Sequence, residues 1–153
     1  MATPLKRKRD HVETPLKLSR AQMQGKRYVF FPIHMPFHWV LVSYRLDTGL
    51  CEYFDSLITC GETRLHVGRA QRVLRFCNRV MGRDESFGEA CAHPQTPQQH
   101  WRGGPGVDCG VFVCAFMLMI CQDTSVSRMS QHVASDFRKH IAVSIHSNKL
   151  IGD

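Results

Sequence analysis

Residues 108–121 read Asp108-Cys109-Gly110-Val111-Phe112-Val113-Cys114-Ala115-Phe116-Met117-Leu118-Met119-Ile120-Cys121. From Gly110 onward the run is continuously apolar. It falls well short of the roughly 20 residues that a bilayer span requires, so it predicts a buried helix. A loop containing Gly103, Gly104, Pro105 and Gly106 leads into it. That junction sets the Cys109 thiol at a helix N-terminus, where unpaired N–H groups and the helix dipole favour a thiolate. The same N–H groups can donate to a developing oxyanion. The glycines leave room for a second backbone to approach. The context equally fits a packed core cysteine, which most cysteines are.

Upstream, Tyr28-Val29-Phe30-Phe31, ended by Pro32, reads as a strand and as the start of order in the chain. Trp39 to Tyr44 reads as a second strand and Leu50 to Phe54 as a third, joined through Asp47-Thr48-Gly49 as a hairpin. Apart from Ser43 and Glu52 both strands are apolar on both sides, as in a sheet covered on each face. From Arg64 to Met81 the period changes. Val67, Ala70, Val73, Leu74, Cys77, Val80 and Met81 recur at helical spacing, with Arg69, Arg72, Arg75 and Arg79 as a solvated face. Phe87 to Ala92 reads as a short strand, residues 93–107 as a loop, and Ser130 to Ser144 as an amphipathic helix with Met129, Val133, Phe137 and Ile141 on one stripe. Strand, hairpin, helix, short strand, helix, helix is an α+β order in a single domain.

The chain has 153 residues, seven cysteines and a net charge of +7. An odd cysteine count with no export signal ahead of it fits a reducing compartment better than a disulfide framework. No C-x-x-C pair occurs, and the histidines lack zinc-finger spacing, so no metal site is expected. No membrane span is expected either. Residues 1–27 carry eight Lys and Arg against Asp10 and Glu13, so most of the positive charge belongs to one end. Residues 1–26 lack hydrophobic periodicity and read as a disordered or loosely attached basic tail, with the folded domain at 27–153. Lys6-Arg7-Lys8-Arg9 fits an import-receptor signal, and hence a nuclear location in preference to the cytoplasm, or a nucleic-acid contact. A merely solvated tail fits it too.

A nucleophilic cysteine needs an imidazole within hydrogen-bond reach and a third group to fix that imidazole. His38 begins the second strand and Asp55 follows the third, so a hairpin carries both to one end of the sheet and onto one face. Asp55 then falls level with a residue two to four positions past His38, and contact requires a bend at the strand end. Taken alone, His38 also fits a packed or surface residue.

Several segments, in order, resemble the SUMO (sentrin)-specific proteases: Phe31-Pro32-Ile33-His34, His38-Trp39-Val40-Leu41, Tyr53-Phe54-Asp55-Ser56-Leu57, Pro97-Gln98-Gln99 and Asp108-Cys109-Gly110-Val111-Phe112. Ser130-Gln131 and Asp136-Phe137-Arg138 resemble that family's last helix. The resemblance implies a papain-like α+β fold with a mostly antiparallel central sheet. It implies cleavage after the Gly-Gly C-terminus of a ubiquitin-like modifier, SUMO in the first instance, without metal or cofactor. By the same resemblance Cys109 is the nucleophile, His38 the base, Asp55 its orienter and Gln99 an oxyanion donor. Trp39 and Asp108 fall at substrate-contacting positions, Trp39 as a wall of the narrow Gly-Gly channel.

Two features depart from the family pattern. Its glutamine stands six positions before the cysteine, where this chain has Gly103, whereas Gln99 stands ten before. The family's domain also usually has a further N-terminal portion with a second channel tryptophan, which this chain is expected to lack. These departures support an alternative in which the domain binds a modifier with little or no turnover.

Overall fold

The computed structural model describes residues 17–57, 63–94, 96–98 and 108–149. Four strands form one sheet in the order β1 (Tyr28–Met35), β2 (His38–Arg45), β3 (Leu50–Phe54) and β4 (Glu89–Ala92). The first two pairings are antiparallel. β4 joins β3 in parallel through the crossover helix α2 (Thr63–Met81). The strand-pair parity expected from sequence is present: Val40, Val42, Tyr44, Cys51 and Tyr53 bury one face against Ala70, Leu74 and Cys77 of α2. Leu41 and Phe54 bury the other face against Val111, Phe112, Ala115 and Phe116 of α3 (Cys109–Cys121). Val126, Met129 and Ala134 close that second core. Val126 lies in a single 3-10 turn, and Ala134 in α4 (Gln131–Ser147), whose Ser130 cap accepts from Val133 N–H at 3.3 Å.

β3 and β4 start side by side because two glycines touch there. A Cβ on Gly88 would sit 2.2 Å from the Gly49 carbonyl oxygen, and both residues have positive φ, 80° and 72°. A polar network locks this corner. Fully buried Asn78 of α2 accepts from Tyr44 Oη at 2.8 Å and donates to the Phe87 carbonyl at 2.9 Å. Arg83 donates to the Leu46 carbonyl at 2.6 Å and lies over the Phe87 ring. A buried amide is tolerated only when so satisfied.

Two expectations are corrected. The ordered chain begins well before Tyr28. A short helix α1 (Arg20–Met23) follows a Ser19–Gln22 capping box, and Met23 is fully buried in the α2-side core beside Leu18. Burying a methionine contributes about 1.5–3 kcal/mol, which holds a turn that would not persist alone. Arg27 also pairs with Asp123 at 2.6 Å. The 26/27 boundary of the tail reading therefore does not hold for residues 17–26; residues 1–16 lie outside the described residues. The second correction concerns α3, which is buried along one side rather than all round. Cys114 and Cys121 are exposed, because the sheet and α4 cover only part of its circumference. Among the described residues no helix is long and apolar enough to cross a membrane.

Candidate active site

The β2–β3 register pairs Leu41 with Phe54. One further step sets Asp55 level with Val40, two residues past His38 and on the same side of the sheet. A direct ladder pair would not reach. The chain leaves regular strand geometry at Asp55, and the carboxylate turns back toward the imidazole. His38 Nε2 and Asp55 Oδ1 lie 2.6 Å apart, with the side chains 10% and 2% exposed. Leu57 N–H donates to the same Oδ1 at 2.8 Å and helps to fix it.

An ionised carboxylate only accepts hydrogen bonds, so the Nε2 proton is the one shared with Asp55. That tautomer leaves the lone pair on His38 Nδ1. Among the described residues this nitrogen is buried and has no hydrogen-bond partner. A buried, unsatisfied ring nitrogen costs stability and is rare in cores. It is the arrangement of a base left free to accept a proton, and in this structure it makes no hydrogen bond to the Cys109 thiol.

Cys109 opens α3 and is 6% exposed. The next residue, Gly110, lies against the Trp39 indole: a Cβ there would meet Trp39 Cδ1 at 4.0 Å. The residue after the cysteine thus neighbours the residue after the histidine, which sets the N-terminal end of α3 at the His38 end of β2. Trp39 itself is 41% exposed and packs on the His34 ring at a centroid distance of 4.7 Å. It has the character of a wall rather than a core side chain.

Gln99 lies outside the described residues. Its neighbour Gln98, which sequence reasoning passed over, donates Nε2 to the Asp55 carbonyl at 2.9 Å. The Pro97-Gln98-Gln99 motif contains that signal, but the family resemblance gives a role only to the second glutamine. Asp108, expected at a substrate-contacting position, stands directly before Cys109. Its carboxylate is taken up by α4, through Gln131 Nε2 at 2.5 Å and Arg138 Nη2.

The model of the Ulp1 protease family C-terminal catalytic domain matches residues 2–149. The chain belongs to the Ulp1 protease family. No curated protein matched the sequence. Among solved structures, the chain is similar to the C-terminal Ulp1 protease domain in complex with Smt3, the yeast ortholog of SUMO. That similarity has 23% identity and a TM-score of 0.63, covering 84% of this chain and 55% of that one. It is also similar to the SUMO protease Ulp1 with its catalytic cysteine oxidized to a sulfenic acid, at 24% identity and a TM-score of 0.60, covering 80% and 53%. The sulfonic acid form of that protease matches at the same identity and TM-score, covering 80% and 54%. The chain therefore spans about half the length of these structures, and it shares their α+β fold. The Ulp1 family is a family of cysteine peptidases.

Proposed function

We propose that this domain is a thiol isopeptidase that cleaves after the Gly-Gly C-terminus of a ubiquitin-like modifier of the SUMO type. The observation that carries the proposal is the Asp55-bound His38 with its buried, unpartnered Nδ1 at the sheet end where α3 begins with Cys109. Family membership and the similarity to a Ulp1 domain complexed with a SUMO ortholog support the choice of modifier.

In this reading His38 Nδ1 takes the Cys109 thiol proton, and Asp55 stabilises the resulting imidazolium. The thiolate attacks the terminal glycine carbonyl, forming a C–S bond and an oxyanion held by N–H groups of the first turn of α3 and by Gln99. Collapse breaks the C–N bond, and the leaving lysine amine takes its proton from His38. Water, deprotonated by His38, then hydrolyses the thioester, releasing the modifier carboxylate and restoring the thiol. Trp39 walls a channel in which only glycines fit, so selection is steric.

Hydrolysis of an aminocoumarin amide at the C-terminus of SUMO tests this. Turnover by the natural sequence and at least a thousandfold less by Cys109→Ser is expected. Equal rates in the two proteins would contradict it. We also propose a nuclear location, supported by the Lys6-Arg7-Lys8-Arg9 cluster. A fluorescent fusion with those four residues changed to alanine should lose nuclear enrichment, and unchanged enrichment would contradict the assignment.

A further inference from the structure

An aspartate in front of a helix ordinarily turns its carboxylate onto the N–H groups of the first turn. Three other caps among the described residues do that: Ser19, Ser125 and Ser130 each accept from a backbone N–H two or three residues on. Asp108 does not. Its backbone is already helical, at φ −89° and ψ −3°, its carbonyl accepts from Phe112 N–H at 2.9 Å, and its side chain caps nothing. Both carboxylate oxygens are engaged by α4 instead: Oδ2 by Gln131 Nε2 at 2.5 Å and Oδ1 by the Arg138 guanidinium. These partners lie 23 and 30 residues further along the chain.

The diversion matters because of the two residues next in the chain. The N–H groups of Cys109 and Gly110 have no partner within the helix, and they are the donors that a tetrahedral oxyanion at the Cys109 sulfur would need. A free Asp108 carboxylate would be drawn to the first-turn donors, those of Gly110 and Val111 being the ones a capping aspartate takes, and would also set a negative charge beside the nucleophile. Resting on the isopeptidase reading above, we propose that Gln131 and Arg138 are positioning residues. They hold the Asp108 carboxylate off the N-terminus of α3, so that its first-turn amides stay open to the oxyanion and the adjacent charge stays neutralised. Neither residue touches substrate in this scheme; both act through Asp108.

The test is whether one substitution repairs another. Gln131→Leu with Arg138→Met releases the carboxylate, and kcat for the aminocoumarin substrate should fall at least tenfold with KM within about twofold. Loss of a single oxyanion donor is of that order or larger, about 100- to 1,000-fold. Adding Asp108→Ala to that pair removes the group that would fold back, and kcat should recover at least fivefold. Arg138→Lys keeps the charge and should stay within threefold of the natural sequence. A triple variant no more active than the double, or a loss confined to KM, would overturn the proposal. If the double variant melts below the assay temperature, Arg138→Met with and without Asp108→Ala decides the same question. If the natural sequence shows no turnover, the isopeptidase reading fails but the clamp is still readable. Iodoacetamide alkylation of Cys109 at pH 7, with peptide mass spectrometry as the readout, should slow at least threefold in the double variant and recover in the triple. Equal alkylation across the three proteins would then overturn it.

Discussion

His38 Nε2 meets Asp55 Oδ1 at 2.6 Å although the two residues are offset by two positions in the β2–β3 ladder. The contact exists because the chain turns out of the strand at Asp55, and two further bonds hold that turn, from Leu57 N–H to the carboxylate and from Gln98 to the carbonyl. The geometry dictates the tautomer of His38 and leaves Nδ1 as the acceptor.

Asp55→Asn reverses that logic. The amide can present its NH2 group to Nε2, which moves the ring proton to Nδ1 and abolishes the base. We expect kcat to fall by about 10,000-fold, the size of loss seen when the orienting aspartate of a catalytic triad is replaced by asparagine. Folding should be intact by circular dichroism. An unchanged kcat would show that His38 is not held through Asp55.

Gln98→Ala removes the bond to the Asp55 carbonyl and loosens the segment that carries Gln99. A fall of about three- to tenfold in kcat is expected, because a supporting hydrogen bond contributes about 1 kcal/mol. On the proposed mechanism, in which Gln99 is an oxyanion donor, Gln99→Ala should cost at least tenfold. Steady-state kinetics of both variants separate the support from the donor.

Much of the fold is legible in sequence because it rests on local periodicity. The alternation in Val40, Leu41, Val42 and in Cys51, Tyr53, Phe54 sorts those side chains between the two cores. The spacing of Ala70, Leu74 and Cys77 marks the buried stripe of α2. Met23 is not legible, because its burial comes from docking of a single turn onto a distant helix and not from any repeat around it. Asn78 is hidden for a related reason: a polar residue in an apolar stripe is explained only by Tyr44 and Phe87, which the fold brings to it. At the site, hairpin parity places His38 and Asp55 on one face, but it does not reveal the turn that joins them. Nothing near Asp108 in the chain announces that its carboxylate pairs with Gln131 and Arg138, which lie 23 and 30 residues away.

Phe37 occupies the tip of the β1–β2 hairpin with φ 61° and its side chain fully in solvent. A bulky residue in the left-handed region is strained by about 1–3 kcal/mol, and its exposed ring gains no burial in return. Phe37→Gly should therefore raise stability by about 1 kcal/mol, readable as a higher Tm in a thermal melt. A lower Tm would mean that the ring packs on something.

The thiols of Cys51 and Cys77 are fully buried, and burial raises both from the ordinary value of 9.0, Cys77 to about 12. They should resist alkylation by iodoacetamide in the native state at pH 8, while exposed Cys121 reacts. The unfolded chain ionises these thiols first. Their contribution to stability is therefore complete below pH 9 and should be lost as pH rises from about 9 toward 12. Peptide mapping after alkylation checks the first point and alkaline denaturation the second. Rapid native labelling of Cys77 at pH 8 would contradict the packing described for α2.

The most direct test is covalent capture. SUMO, ubiquitin and another ubiquitin-like protein, each ending in a Gly-Gly electrophile, are incubated in parallel with the natural sequence and with Cys109→Ala. A stable adduct with SUMO that is absent from the alanine variant is expected. An adduct that persists without Cys109, or none at all from a folded sample, would contradict the assignment of Cys109 as the nucleophile of a Gly-Gly isopeptidase.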